Sequence, residues 1–304
     1  MALQTEIWVT EIQENLFPAN DFMSRCKDHS AFINHLTVHL PQSGANPAVF
    51  KNNVSLPVSI NQRTDTDFTY SLNNYKGEPL LITNLEELQN SYDKRSSVLG
   101  NITRNMGYAI ANQTLYSWAP SGASRIVRTS GSAVATALAP SATGTRNAIT
   151  LLDIAALKAK LDNDNVPQEG RILVMPADMY NNQLLQINNI QAFYAYNMPV
   201  TQTGKVPTIF GFEVMIRPTV LVYDTSAVIK TIGDSGVPSS PATTDNLACI
   251  AYHPDFVSKA QGGINVYANE NRAEYYGSIL SIEVQHGASA LRPTAVGIAA
   301  LIQQ

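Results

Sequence analysis

Several groups of residues in this chain have types and spacings that could do chemistry, and each lacks a part. Cys26, His29, His35 and His39 are all zinc-type ligands. Their spacings of three, six and four residues contain no C-x-x-C knuckle, and HLTVH lacks the glutamate of a zinc-protease helix. The turn GDSGVP, Gly233 to Pro238, echoes a serine nucleophile loop. That chemistry needs a general-base histidine and an orienting acid, in settings that none of the five histidines occupies. GRILVMPADMYNNQLL, Gly170 to Leu185, reads as a buried strand leading into a helix, where α/β enzymes often hold phosphates. Here Met175 runs into Pro176 instead of a glycine-rich turn, Asp178 is an ordinary first-turn acid, and no P-loop string occurs elsewhere. The carboxylate pairs Asp65/Asp67 and Glu86/Glu87 fall on a hairpin tip and a helix start. Solvated faces or contacts between subunits explain them better than acid–base work. His253 and His286 read as hydrogen-bonded structural residues at strand ends. The sequence therefore calls for no catalytic residue, no metal and no cofactor.

Composition points the same way. The chain has 304 residues, 44% of them hydrophobic but only 14% charged, against roughly 25% charged in an average soluble protein. Asn, Gln, Ser and Thr fill the gap. Much of the surface is then expected to be covered by other subunits; a neutral polar surface is the alternative reading. The net charge is −4 and the pI near 5.7. No basic run marks a footprint for tight nucleic-acid binding. Cys26 and Cys249 match no disulfide framework and read as reduced, core-type thiols in a cytoplasmic setting. The opening MALQTEIWVTEIQ has neither the basic region nor the long apolar core of a signal peptide. No apolar run approaches the ~18 residues of a membrane span.

The elements fall in a distinctive order. Residues 1–48 read as an arm broken by Pro18, Pro41 and Pro47, with a short strand in NHLTVHLP that sets His35 and His39 on one face. Residues 49–82 read as a long hairpin. NVSLPVSI and DFTYSLNNY, with Phe68, Tyr70 and Leu72 on one face, flank the polar tip NQRTDTD. Residues 83–118 predict a long helix, with capping boxes at Thr83/Glu86 and Asn84/Glu87. Its stripe is Leu85, Leu88, Tyr92, Leu99, Ile102, Met106 and Ile110, on a rod of roughly 50 Å. A Ser/Ala/Gly-rich connection, 119–148, leads to a second helix capped by Thr150 and Asp153, with Ile154, Leu157 and Leu161 on its inner face. The strand at Gly170–Met175 follows, then short strands in FGFEVMIRP, TVLVYD and LACIAYHP. The final alternating strand YGSILSIEVQH has Leu280, Ile282 and Val284 on one face.

That order, and the stretches VHLPQSG, RTDTDFTYSLNNY, SYDKRSSVLG, VPQEGRILVMPADMYNNQLL, GFEVMIRP, ACIAYHPDFVSKA and LRPTAVGIAAL, resembles the HK97-type major capsid proteins of tailed bacteriophages, those infecting Bacteroidetes in particular. The resemblance implies an α+β, HK97-like capsid fold. Its parts are an N-terminal arm (1–48), an E-loop (49–82), a P-domain with a spine helix at 83–118 (83–149), an α/β A-domain (150–264), and C-terminal strands returning through both domains (265–304). It implies a non-enzymatic protein that self-assembles into hexamers and pentamers of an icosahedral or prolate shell enclosing double-stranded DNA, located in the virion after assembly in the host cytoplasm. Some relatives carry an N-terminal scaffolding segment; none precedes this arm, so a separate scaffolding protein is expected, beside a portal and decoration or cement proteins. Candidate intersubunit contacts are Arg63, Asp65, Asp67, Lys76, Glu78, Glu86, Glu87, Lys94 and Arg95. Loops near 188–208 and 233–245 are candidates for the inner rim of the rings. An encapsulin-like nanocompartment shell, or an α/β enzyme with an unrecognised site, are the alternatives.

Overall fold

A computed structural model describes residues 21–44, 48–49, 51–52, 57, 60, 62–83, 94–134, 139, 141–187 and 208–304. Within them, two sheets share one long helix, and a small third sheet stands beside them.

The helix is Lys94–Trp118. No proline interrupts it, and it ends just before Ala119-Pro120, where the residue preceding proline is pushed out of the helical region. Its 25 residues span roughly 37 Å. The helix was expected to begin at 83, but Thr83 closes the strand Leu80–Thr83 and pairs with Gly277. The reason is the partner strand: Leu-Leu-Ile-Thr fits a pleated edge, and Gly277, far along the chain, lets that edge come close. A Cβ on Gly277 would sit 2.2 Å from the Ile82 carbonyl oxygen. The expected first turns, with Leu85, Leu88, Tyr92 and the second capping box, lie outside the described residues. Of the remaining stripe, Leu99 and Ile102 are half-buried, and Met106 and Ile110 are buried. Further along, burial spreads around the helix to include Ala109, Ala111, Asn112, Thr114, Leu115 and Trp118.

One covering layer is a long antiparallel hairpin, Val257–Arg272 with Gly277–Ala290. Leu280, Ile282 and Val284 are buried on one face of its second strand, as their alternation requires. The first strand runs through the domain boundary expected at 264. Gly262 and Gly263 carry a register shift there that bends the strand without ending it. Asn73–Lys76 and Leu80–Thr83 pair successively along the free edge of Gly277–Ala290.

The other layer is a seven-stranded sheet. Its order is Thr208–Ile209, Phe212–Arg217, Arg171–Pro176, Asn246–Tyr252, Ile298–Ile302 and Ile126–Arg128, with Leu221–Tyr223 also pairing Asn246–Tyr252. The strand of the Gly170–Leu185 stretch is central and wholly buried, which explains its unbroken apolar run. Its side chains divide between two cores. Ile172 and Val174 face Trp118, Leu115 and Phe22, whereas Leu173 and Met175 face Leu157, Leu161 and Met179. The helix Leu151–Asn163 covers the second face and starts with the expected capping box at Thr150 and Asp153. The connection 119–148 is more ordered than its composition suggested, since it supplies Ile126–Arg128 to the sheet edge and a small ladder between Ala133–Val134 and Arg146–Asn147.

The run DFTYSLNNY, expected as one strand of a two-stranded hairpin, divides at Leu72. Thr66–Ser71 pairs with Thr37–Gln42 of the arm, and Asn73–Lys76 pairs with Glu283–His286. Its expected partner, NVSLPVSI, lies outside the described residues except for Pro57 and Ile60. The division has a steric cause. Leu72 turns inward and donates its N–H to Leu36 O at 2.8 Å, buried with Val38 and Ala260. Gly287 admits the turn, because a Cβ there would lie 2.8 Å from Ser71 O.

Two predictions follow from these joints. Asp153 is buried and accepts hydrogen bonds from Thr150 N (2.8 Å), Ser130 N (3.1 Å) and Ser130 Oγ (2.7 Å). Asp153→Ala strands these donors and lowers stability by on the order of 2–3 kcal/mol, against about 1 kcal/mol for Thr150→Ala, which removes only the cap. Denaturant midpoints of the two variants check the ranking. Glu283 accepts from Asn74 Nδ2 and from the Tyr267 hydroxyl at 2.7 Å, with Lys76 Nζ at 4.0 Å. The Asn74 and Tyr267 hydrogen bonds hold its carboxyl below the ordinary glutamate range. Its folded pKa is lower than its unfolded one, so its contribution is fully present above the unfolded value and is lost as pH falls through the folded one. Amides of Tyr75 and Lys76 should exchange faster as pH drops below about 4, once intrinsic exchange is corrected for, and Glu283→Gln should remove that pH dependence.

Candidate functional site

The groups that looked chemical in the sequence do not converge. Among the described residues no group of three or more His, Cys, Asp or Glu is placed to hold a metal ion. Cys26 donates to Met23 O at 3.1 Å, and burial pushes its thiol up to about 12. Burial also pushes the Cys249 thiol up. His35 and His39, expected on one strand face, do not share one. His35 sits in the turn between Ile33–Asn34 and Thr37–Gln42 at φ 48°, because the arm strand starts only at Thr37. His253 accepts from Asp255 N at 3.2 Å, and its Nε2 lies 3.1 Å from Glu169 O. His286 is inside the strand Gly277–Ala290 rather than at its end. Burial lowers its pKa to about 4, with Lys259 adding to the effect, so it is neutral at pH 7.

The strand Arg171–Pro176 ends on a Pro176 N-cap that makes no side-chain bond, and Asp178 is exposed on the short helix that follows. The GDSGVP turn is a packing turn. Gly233 N donates to Val237 O at 2.8 Å, and Gly236, at φ +77°, lies against the long helix. A Cβ on Gly236 would stand 2.7 Å from Ala109 Cα, and Asn112 Nδ2 donates to its carbonyl at 2.8 Å. This part of the 233–245 loop is therefore seated on the body. Of the other rim candidate, 188–208, only Thr208 is described.

Of the charged contact candidates, Arg63, Asp65 and Asp67 lie at the small sheet, while Lys76 and Glu78 lie at the edge of the long hairpin. Arg63 grips Asp65 with two nitrogens, Nε at 2.7 Å and Nη2 at 2.9 Å, and Gly44 N donates to the same carboxylate at 2.9 Å. The Arg63 and Gly44 bonds keep the Asp65 carboxyl below its ordinary range. Asp67 lies 2.8 Å from His39 Nδ1, across the ladder between Thr37–Gln42 and Thr66–Ser71. Lys76 stands at the Glu283 carboxylate. Glu78 is exposed on the rim of a cleft of about 950 Å³ between Asn73–Leu80, the long helix and residues 232–235. Lys94 and Arg95 open the described helix, their side chains lying outside the described set with Glu86 and Glu87. Arg63 and Asp65 thus form a closed local pair, and Asp67 with His39 bridges two strands.

Sequence reasoning missed the exposed apolar surface. Tyr276 is 79% exposed and sits at φ 47°, next to Tyr275 in the turn of the long hairpin. Tyr267, Leu80 and Leu81 are exposed on the same hairpin and its paired edge. A tyrosine held in the left-handed region and left in water is unusual. The signal was available in ENRAEYYG, whose aromatic pair falls where a turn would normally carry Asn or Gly.

No protein-family model and no curated protein matches the chain. Solved structures do. The chain is similar to one in the capsid structure of cyanophage P-SCSP1u, with a TM-score of 0.63 and 15% identity over 91% of this chain and 85% of that one. It is similar to one in the cyanophage Pam1 capsid asymmetric unit, with a TM-score of 0.60 and 10% identity over 91% and 87%. A chain of Mycobacterium phage Che8 gives a TM-score of 0.58 and 14% identity over 92% and 90%. Identity this low speaks to architecture alone, and the architecture is matched over 91–92% of the chain: an α+β chain with the HK97-like capsid fold.

Proposed function

We propose that this chain is the major capsid protein of a bacteriophage, a non-enzymatic tile that self-assembles into hexamers and pentamers of an icosahedral or prolate shell around double-stranded DNA. The observation that carries the reading is the chain-length match of its fold to phage capsid structures, 91% of this chain against 85% of the cyanophage chain. Supporting it, among the described residues the three-stranded sheet of Ile33–Asn34, Thr37–Gln42 and Thr66–Ser71 packs on a small cluster, Val38, Leu72 and Ala260 with a few partly buried neighbours. Three short strands over so little apolar surface are marginal in water. Laid across an adjacent subunit, the finger gains the burial it lacks. Obligate interfaces of this kind bury ~2,000–5,000 Å². The break at Leu72 gives a joint about which the finger can tilt, as pentamers and hexamers of different curvature require. A net charge of −4 with no basic run suits DNA that is enclosed and released without being gripped. A separate scaffolding protein, a portal and decoration proteins are the partners this reading implies, and the virion is the location.

Electron microscopy of the purified full chain, expressed with and without its genomic neighbours, tests the proposal. Closed shells with five- and six-fold rings are expected. Small discrete oligomers with substrate turnover, or shells filled with a cargo enzyme, overturn it. The double reversal Arg63→Glu with Asp65→Arg preserves their mutual pairing and inverts what a neighbour meets. It should leave the circular-dichroism spectrum unchanged and cut shell yield several-fold; normal assembly would remove these residues from the interface.

A further inference from the structure

His286 stands where its strand calls for an apolar residue. The alternation that buries Leu280, Ile282 and Val284 on one face of Gly277–Ala290 puts His286 next in the row, and it is 1% exposed. Among the described residues its Nε2 is buried with no hydrogen-bond partner, and no carboxylate pairs with the ring. A neutral imidazole tolerates this at the cost of an unmade bond. An imidazolium does not, because a buried charge needs a counter-charge or water.

The ring lies at the joint of the small sheet. His286 pairs with Asn73, the residue after Leu72, and is followed by Gly287, against which Ser71 and Leu72 close. Leu72 with Val38 and Ala260 forms the small cluster that holds Thr37–Gln42 and Thr66–Ser71 to the body. A cavity of about 490 Å³ opens beside this joint, between the small sheet, the long helix and the strand of His286. Thr37, Thr69, Ser71, Asn73 and Gln113 line it with His286. Their hydroxyl and amide oxygens accept hydrogen bonds of a kind the apolar row does not offer.

The groups facing His286 do not neutralise a charge there. Lys259, on the neighbouring strand, opposes protonation, and Asp28, one strand further on, favours it more weakly. His29, beside Asp28, is itself lowered by burial, with Lys27 adding to the effect. Tyr70 and Tyr75 also line the cavity, and burial raises both hydroxyls, so they stay neutral. The facing stretch of the long helix supplies Gln113, Thr114 and Ser117, none of them charged.

We infer that His286 is an acid-sensitive latch on the small sheet. Neutral, it seals the seam between that sheet and the body. Protonated, it leaves the apolar row through the cavity, and the small sheet comes away. Burial, with Lys259 adding, lowers the pKa of the closed joint to about 4, against an ordinary 6.5 once the ring meets water. The latch is therefore fully effective above 6.5, weakens as pH falls toward about 4, and loses nothing further below that. It is a property of the single chain and does not rest on the shell reading.

Hydrogen exchange of the full chain between neutral pH and about 4, read by mass spectrometry and corrected for intrinsic rates, tests it. Peptides covering 37–42 and 66–72 should exchange faster as pH falls, by up to about tenfold per pH unit within that window, while Arg171–Pro176 in the central sheet stays protected. His286→Gln should flatten the rise. His29→Gln and His39→Gln, which remove neighbouring imidazoles, and Glu283→Gln should leave it in place. A flat wild-type profile, an unchanged rise in His286→Gln, or loss of the rise in one of the other three variants overturns the inference. Should His286→Gln fail to fold, the ring is titrated by NMR in the histidine-labelled wild-type chain. A midpoint near 4 is expected, and one near 6.5 in the folded chain overturns the inference.

Discussion

The whole arrangement depends on one helix that two sheets must share. Its composition is poorly suited to burial: between Gly100 and Trp118 it carries Asn101, Thr103, Arg104, Asn105, Asn112, Gln113, Thr114 and Ser117. Yet its last three turns are enclosed by the long hairpin and the seven-stranded sheet together. Several of the buried polar groups find partners, although Asn112 Oδ1 has none among the described residues. Thr114 and Ser117 bond back to the carbonyls of Ile110 and Gln113, and Asn112 reaches Gly236. Trp118 is the pin. It donates to Ser258 O at 3.0 Å at the start of the hairpin, while its ring meets Phe22 edge-on at 5.8 Å and Tyr252 of the sheet at 5.2 Å. One side chain thus ties helix, hairpin, sheet and the entering arm.

From that constraint the rest is peripheral in a physical sense. The hairpin and the sheet have deep cores; the finger sheet has a satellite one, attached where Leu72 drops into the space left by Gly287. Stability is graded accordingly, from the Trp118 junction out to strands with little buried area.

What could be read from residues alone was whatever local chemistry decides. The Thr150/Asp153 box, the doubly buried run Arg171–Pro176 and the alternation of Leu280, Ile282 and Val284 are each set by near neighbours in sequence, and each stands where expected. The misreadings came where a distant strand decides. Thr83 has the signature of a helix cap but is captured by the open edge at Gly277, and DFTYSLNNY alternates as one strand but is divided by a close approach to Gly287, more than two hundred residues away. Likewise, GDSGVP echoes a nucleophile loop until Gly236 is seen against Ala109. Glycines were the hidden variable, because pattern reading registers them as breaks and not as permission for another segment to approach.

The same reasoning extends to charge. A chain with few ionisable groups can bury a cation only by giving it a partner, and this one does so repeatedly. Arg171 meets Asp162 at 2.7 Å and the carbonyls of Val166 and Pro167, Arg125 meets Asp164, and Lys230 meets Asp245 at 3.1 Å. Each pair joins segments that secondary structure leaves apart: a helix end to its strand, the connection after the long helix to the second helix, one loop to another. Among the described residues Arg217 departs from that rule: it is buried with no acid within ion-pair distance, and its guanidinium carbon stands 4.9 Å from the centroid of the Phe22 ring instead. A cation over an aromatic face keeps part of its electrostatic stabilisation without a carboxylate, so this contact too joins segments far apart in sequence, the start of the described chain and the end of a sheet strand.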